Sequence, residues 1–282
     1  MRSCRSQAIF LFLTSVPALA QNQKDLPYLL NGVKEIATGR YLGSLSVFGD
    51  QAFPVVNGRS DNGAQEPAIA AARFGRGRMV AFTGYVEDNV FNVADTGRLI
   101  LNAANWAGGE KGSTRVGVFK VDGLAARLRR LGLDARDITL DARTNTDVIF
   151  VTPRAVESQE IAPLLEYVRA GGGLIAGAVG WSWQERHPNQ SLATEFAGNR
   201  LFAPAGLVWT NAGLSRTSGQ GYDASHLPVE LSHAGKALQA AVAHEARHEV
   251  LSAPDLKQAS TTLMRAARNL PLDDTKLLGC AT

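Results

Sequence analysis

Three groups of residues in this chain have types and spacings that could carry chemistry. The first is His244-Glu245-Ala246-Arg247-His248, which has the form H-E-x-x-H. On a continuous helix the two histidines lie one turn apart on one face. They could then share a zinc ion, with Glu245 activating a bound water. A catalytic zinc needs a third protein ligand, and beyond Glu249 only Asp255, Asp273 and Asp274 are acidic. The same stretch also reads as the end of an amphipathic helix from Lys236 to Leu251. Leu238, Ala241 and Val242 would face a core, and His244 and His248 would be flank residues. Zinc is therefore the alternative cofactor, and no cofactor is the leading expectation.

The second group is Gly180-Trp181-Ser182-Trp183, which follows the apolar run Leu174 to Val179. Gly-x-Ser after a strand is half of a nucleophile elbow. An elbow needs a small residue two positions past the nucleophile, and Gln184 stands there. Only His187 and His226 offer a general base. The two tryptophans suit binding better, since large amphipathic rings stack on sugars or anchor a protein partner. Packing beneath the loop 184–206 is the competing reading for either ring. The third group is the loop Gly49 to Pro54, where Asp50 joins Tyr85, Glu87 and Asp88 as candidate polar residues at strand ends. Asp50 also has a simpler use in a turn. Asn189-Gln190-Ser191 is a formal glycosylation sequon.

The elements that must position these groups follow from periodicity and turn residues. Strands are expected at 43–48, 53–56, 67–73 and 78–83, then a helix over 95–107 with Asp95 at its cap. Strands at 115–120, 147–152 and 174–179 alternate with helices at 122–132 and 157–170, closed by Gly132 and Gly171. A further strand is expected at 207–210. Helices at 232–251 and 255–268 complete the chain. Short apolar strands alternating with helices imply an α/β fold, a Rossmann-like parallel sheet with helices on both faces. The organisation expected is a signal peptide at 1–20, a β-rich lobe at 21–112, an α/β lobe at 113–230 and a helical tail at 231–282.

Composition narrows the function classes. With 282 residues, 45% of them hydrophobic, the chain can bury a full core. Arg2 and Arg5 precede the apolar run beginning Ile9 to Leu13, and Ala18-Leu19-Ala20 fits a signal peptidase site, so cleavage before Gln21 and export are expected. Removing Arg2 and Arg5 lowers the formal charge from +3 to about +1. That excludes an electrostatic case for nucleic acid or an anionic membrane. Arg127, Arg129 and Arg130 read as a solvated helix face. Cleavage would also remove Cys4 and leave Cys280 without an intramolecular disulfide partner. No later apolar run reaches the length of a membrane span.

Several segments together resemble a known family. Phe48-Gly49-Asp50-Gln51-Ala52-Phe53-Pro54-Val55 and Ala70 to Val80 resemble the amino-terminal region of the TRP channel-associated factors and of secreted M60-like proteins. Asn102-Ala103-Ala104-Asn105-Trp106, Val116-Gly117-Val118 and the strand ending at Trp181-Ser182-Trp183 continue the resemblance, over roughly residues 27–210. It implies a class I glutamine-amidotransferase-like region without the amidotransferase cysteine. In larger members that region precedes a separate zinc-peptidase domain, which acts on glycoproteins in secreted bacterial examples. Such a domain would be expected to begin where this chain stops, at Thr282. The family's metal motif belongs to that later domain, so the resemblance does not extend to His244 and His248. At the crest the family pattern keeps the aromatics but not a serine.

These observations favour an exported, non-catalytic recognition module. Its partner would be a glycan, glycoprotein or protein, met at Asp50, Trp181 and Trp183. The alternative is a zinc-dependent hydrolase using His244, Glu245 and His248.

Overall fold

The computed structural model describes residues 18–84, 90–248 and 250–270. Most of the expected signal segment, together with Cys280, Tyr85, Glu87, Asp88 and Glu249, lies outside the described residues. Helix α1 (Ala18–Leu29) leads into strands β1 (Glu35–Ala37), β2 (Gly43–Val47), β3 (Ala52–Arg59), β4 (Gln65–Phe74) and β5 (Gly77–Phe82). Helix α2 (Thr96–Ala107), β6 (Arg115–Phe119), α3 (Leu124–Arg130), β7 (Asp134–Asp137) and β8 (Val148–Val151) follow. Then come α4 (Ser158–Arg169), β9 (Gly173–Gly177), α5 (Gly180–Arg186), α6 (Ala197–Phe202), β10 (Leu207–Gly213) and β11 (Gly221–Asp223). Helices α7 (Ala234–Glu245) and α8 (Ala253–Asn269) end the described chain.

The central sheet has seven strands in the order β3-β4-β5-β9-β8-β6-β7. From β5 to β7 every pairing is parallel, whereas β3, β4 and β5 form an antiparallel meander. The boundary expected near residue 112 therefore falls inside one continuous sheet, joined where β5 pairs with β9. Side chains alternate across it. Leu174 and Ala176 enter one core and Ile175 the other; Ile149 and Val151 face opposite to Val148 and Phe150. Strands buried on both faces are what near-continuous apolar runs produce in a parallel sheet.

Strand β10 was expected in the parallel sheet and is not part of it. It pairs antiparallel with β2, and the two form a separate ribbon. Strand β7 was not anticipated, because only Ala135 of its Asp-Ala-Arg-Asp sequence is buried. A half-solvated edge strand leaves little apolar pattern. A second ribbon pairs β1 with β11, with Ile36 opposite Tyr222.

Helices α7 and α8 pack against each other and against the β2–β10 ribbon. The amphipathic α8 is fixed by Arg265, which donates to both carboxylate oxygens of the buried Glu66 at 3.0 and 2.9 Å. His233 caps α7. Its Nδ1 accepts from the backbone N–H groups of Gly235 and Lys236, and its Nε2 lies 3.1 Å from the Gly49 carbonyl. With Nδ1 accepting, Nε2 carries the proton and donates. Burial holds the imidazole pKa below its usual value, in the neutral form this arrangement needs. No helix among the described residues is long and apolar enough to cross a membrane.

Candidate functional site

In open α/β sheets the place to look is outside the carboxyl ends of the strands. Beyond the end of β5, Thr83 and Gly84 form the floor of a cavity of about 60 Å³. The β1–β11 ribbon and the start of α2 wall it in. Ile36, Ala68, Phe82 and Ile100 make it apolar, and the described residues lining it include no charged side chain. Tyr41 stands at its mouth, 38% exposed.

The ribbon is held over the sheet by a set of short polar contacts. The Asp95 carboxylate accepts from the backbone N–H groups of Lys34 and Glu35, at 2.8 and 3.3 Å. Those two bonds hold its pKa below the usual carboxylate range. Thr96 Oγ1 accepts from Ala37 N at 2.9 Å and donates to the Val93 carbonyl at 2.8 Å. Asp95 does sit at the cap position of α2, as expected, but its side chain makes no cap hydrogen bond and braces β1 instead. Glu35 in turn accepts from Gln220 N at 2.8 Å, which ties β1 to the loop before β11.

Two hydroxyls in this wall are buried: Thr38 Oγ1, without a hydrogen-bond partner among the described residues, and the Tyr222 phenol, which lies beside Thr83. Burial pushes the Tyr222 pKa well up, and neighbouring Thr83 offsets only part of the rise. A buried hydroxyl without a partner carries a desolvation cost.

Trp181 lies beside this mouth and Trp183 does not. The Trp181 ring is half-buried; its Nε1 donates to the Leu42 carbonyl at 2.9 Å, and its ring meets Tyr41 edge-on at 5.8 Å. Trp183 is only 8% exposed. Its ring stacks on His187 at 4.4 Å and leans on Phe196 at 5.2 Å. Of the two readings for Trp183, packing is the one observed, and its ring faces are covered. The reason is the turn itself. Residues 180–186 form helix α5 rather than an open crest, and the helix points its fourth residue, Trp183, inward.

Gly180 belongs to packing as well. A Cβ there would sit 2.3 Å from the Thr210 carbonyl oxygen, so β10 passes too closely for any other residue. Ser182 meets the Arg186 guanidinium at 3.5 Å. His187 Nδ1 is engaged with the Trp183 carbonyl at 2.8 Å, and His226 with Asp223 at 2.8 Å. The nucleophile–base pair that an elbow requires is not formed among these residues.

Asp50 is at the other end of the sheet. It precedes Ala52, whose register through Ala72 reaches Met79, whereas the cavity lies beyond Phe82. At about 3.3 Å per residue, Asp50 and the cavity floor are separated by roughly 20 Å. Asp50, Trp181 and Trp183 therefore do not converge on one surface.

The His244–His248 segment departs from its expected geometry too. Helix α7 ends at Glu245, and Arg247 turns left-handed with φ 57°. The backbone N–H groups of Arg247 and His248 return to the carbonyls of His244 and Ala243, a Schellman closure. His248 thus leaves the helix before it can stand one turn beyond His244. His244 Nδ1 accepts from Leu251 N at 3.1 Å. No three His, Cys, Asp or Glu side chains among the described residues are grouped to hold a metal ion.

Sequence reasoning missed Thr38, Tyr41, Thr83 and Tyr222. They come from segments scattered between residues 38 and 222, and only β-ribbon pairing brings them together. The one local signal was the resemblance around the crest, which pointed to Trp181.

The profile of a protein family described as "TRPM8, N-terminal domain" (TCAF_N) matches residues 6–224. TRPM8 channel-associated factor 1 of Homo sapiens is 31% identical over 210 residues, which is 72% of this chain and 22% of that protein. TRPM8 channel-associated factor 2 of Bos taurus is 31% identical over 188 residues, 65% of this chain and 19% of that protein. This chain thus spans about a fifth of the length of those relatives. Among solved structures, IMPa from Pseudomonas aeruginosa in complex with an O-glycopeptide superposes with a TM-score of 0.51 at 14% identity, over 74% of this chain and 23% of that one. The IMPa metallopeptidase in complex with T-antigen gives 0.50 at 17% identity, over 76% and 24%. At such identities the likeness concerns the fold. The match over residues 6–224 carries the assignment, and the chain belongs to the TCAF_N family of amino-terminal domains found in the TRPM8 channel-associated factors.

Proposed function

We propose that this chain is a non-catalytic recognition module that binds a glycan, glycoprotein or protein partner at the cavity mouth bounded by Tyr41 and Trp181. The carrying observation is a cavity at the carboxyl end of the parallel sheet with an aromatic pair at its opening. Concave apolar sites with a few convergent polar groups are the usual form of a binding site. The relatives are named as channel-associated factors, and solved neighbours hold an O-glycopeptide and T-antigen; both support a binding role here. Asp50 and Trp183 no longer enter the surface proposed.

Binding to immobilised glycans and candidate glycoproteins tests this reading. Trp181→Ala and Tyr41→Ala should each weaken retention at least tenfold while the protein stays folded. Unchanged retention in both would refute it. We also propose that the chain is exported after cleavage before Gln21; amino-terminal sequencing of the secreted product would show Gln21 first. The amidotransferase-like reading of the sheet is supported by the strand order β7-β6-β8-β9-β5, that of a doubly wound α/β sheet.

A further inference from the structure

We infer that the cavity beneath Tyr41 takes an aliphatic side chain from an acidic segment of a protein partner, and that Arg40 meets a carboxylate beside it. This deepens the recognition reading and rests on it. Size is the first argument. A water-sized group takes roughly 10–15 Å³ on this measure, so a cavity of about 60 Å³ has room for about four heavy atoms. A leucine or isoleucine side chain is of that size, and a pyranose ring or a fatty acyl chain is not.

Polarity is the second argument. Ile36, Ala68, Phe82 and Ile100 wall the cavity, and no described lining residue is charged. The oxygens of Thr38 and Tyr222 are closed off from it. Thr96 Oγ1 is already engaged with Ala37 N and the Val93 carbonyl. A polar group entering here would give up its hydration for no partner. An aliphatic group gains by leaving water.

The third argument is the charge at the rim. Arg40 is exposed, and its guanidinium stands over the Tyr41 ring, 5.5 Å from the centroid. It forms no ion pair with a described residue. Stacking on the ring holds the cation at the mouth. That distance is roughly the span of one or two residues of an extended chain. A segment that seats an aliphatic residue in the cavity therefore brings its neighbouring side chain to Arg40. A carboxylate is the group a guanidinium selects. Trp181, edge-on to Tyr41 at 5.8 Å, adds apolar surface that shields the seated side chain from water.

Calorimetric titration of the full chain tests the idea, with short blocked peptides of glycine and serine that carry a central leucine–aspartate pair. Alanine–aspartate and leucine–asparagine versions are the controls. The alanine version should bind at least about tenfold more weakly at any salt concentration. The asparagine version should bind about threefold more weakly at low salt, and the difference should fade as salt is added. Arg40→Gln should erase the aspartate preference and keep the leucine preference. Ala68→Val fills part of the cavity; it should erase the leucine preference and leave binding of the alanine version unchanged, which also reports that the variant is folded. The wild-type comparison decides the matter even if that variant fails to fold. Equal binding of the leucine and alanine versions would overturn the inference. So would an aspartate preference that survives Arg40→Gln, a leucine preference that survives Ala68→Val, or no peptide binding at millimolar concentration. If no peptide binds but an immobilised glycan is retained in a Trp181-dependent way, this inference fails and the recognition reading stands. If neither peptides, glycans nor glycoproteins are retained, both fail.

Discussion

The two tryptophans of the crest should respond unequally to truncation. Trp183 is 8% exposed and is the outer member of a chain of rings. It stacks on His187, leans on Phe196, and Phe196 meets Trp209 edge-on at 6.0 Å. Trp183→Ala removes the indole and opens a cavity that these rigid neighbours cannot fill. Truncations of this kind cost about 3–5 kcal/mol. Trp181→Ala loses one hydrogen bond to the Leu42 carbonyl, worth about 1 kcal/mol. It also loses the edge contact with Tyr41, worth about 1 kcal/mol. In a domain of this size each kcal/mol shifts the melting temperature by roughly 2–4 °C. Trp183→Ala should therefore melt roughly 10 °C below wild type, and Trp181→Ala roughly 5 °C below. Differential scanning calorimetry with near-ultraviolet circular dichroism would measure both. If Trp183→Ala melted within about 2 °C of wild type, its assignment to the core would be wrong. A double alanine variant would not test binding, because lost binding would report unfolding. Trp181 alone is the informative position.

Three further outcomes follow from the packing. His233 is partly buried, and desolvation depresses its pKa below the unfolded value of about 6.5. The folded state therefore binds fewer protons than the unfolded one below that pH. The stability His233 contributes is full above about pH 6.5 and is lost as pH falls through the depressed folded value. His233→Asn keeps a cap acceptor and should flatten this part of a denaturant midpoint–pH profile; an unchanged slope would refute the assignment, with Asp50 and Lys236 as the neighbouring charges to control. Arg265→Met should cost about 3–5 kcal/mol, because it strands the Glu66 carboxylate, 2% exposed, without its partner. Adding Glu66→Met should restore most of that, and a restored value no better than the single variant would count against burial as the cause. Arg247→Gly relieves a left-handed residue and should stabilise by about 0.5–1 kcal/mol. Because the helix ends there, zinc content by mass spectrometry should be the same in wild type, Arg247→Gly and His244→Ala; near-equimolar zinc lost in His244→Ala would revive the hydrolase alternative.

What could be read from the sequence was what local spacing determines. The runs at 147–152 and 174–179 became β8 and β9, and glycines 132 and 171 close their helices with φ of 91° and 115°. The strands expected at 53–56 and 67–73 lie within β3 and β4, and the one expected at 78–83 matches β5 as far as Phe82. Pairing across long separations was hidden. The apolar run at 207–210 looks alike whether it joins the parallel sheet or, as observed, pairs with β2 some 160 residues earlier in a separate ribbon.

The two candidate sites differ for the same reason. H-E-x-x-H was visible because it is a local pattern, but its chemistry depends on a helix running through Arg247. Nothing in the residue type announces the break there, since glycine, not arginine, is the usual left-handed closing residue. The cavity is the converse case. Thr38, Thr83 and Tyr222 form no motif, and each is ordinary in its own segment. They acquire meaning only because Asp95 and Thr96 clamp β1 onto α2 and β11 follows by pairing. The proposed recognition site thus depends on pairing across the whole chain, whereas the zinc alternative depends on a local pattern that the fold interrupts at Arg247.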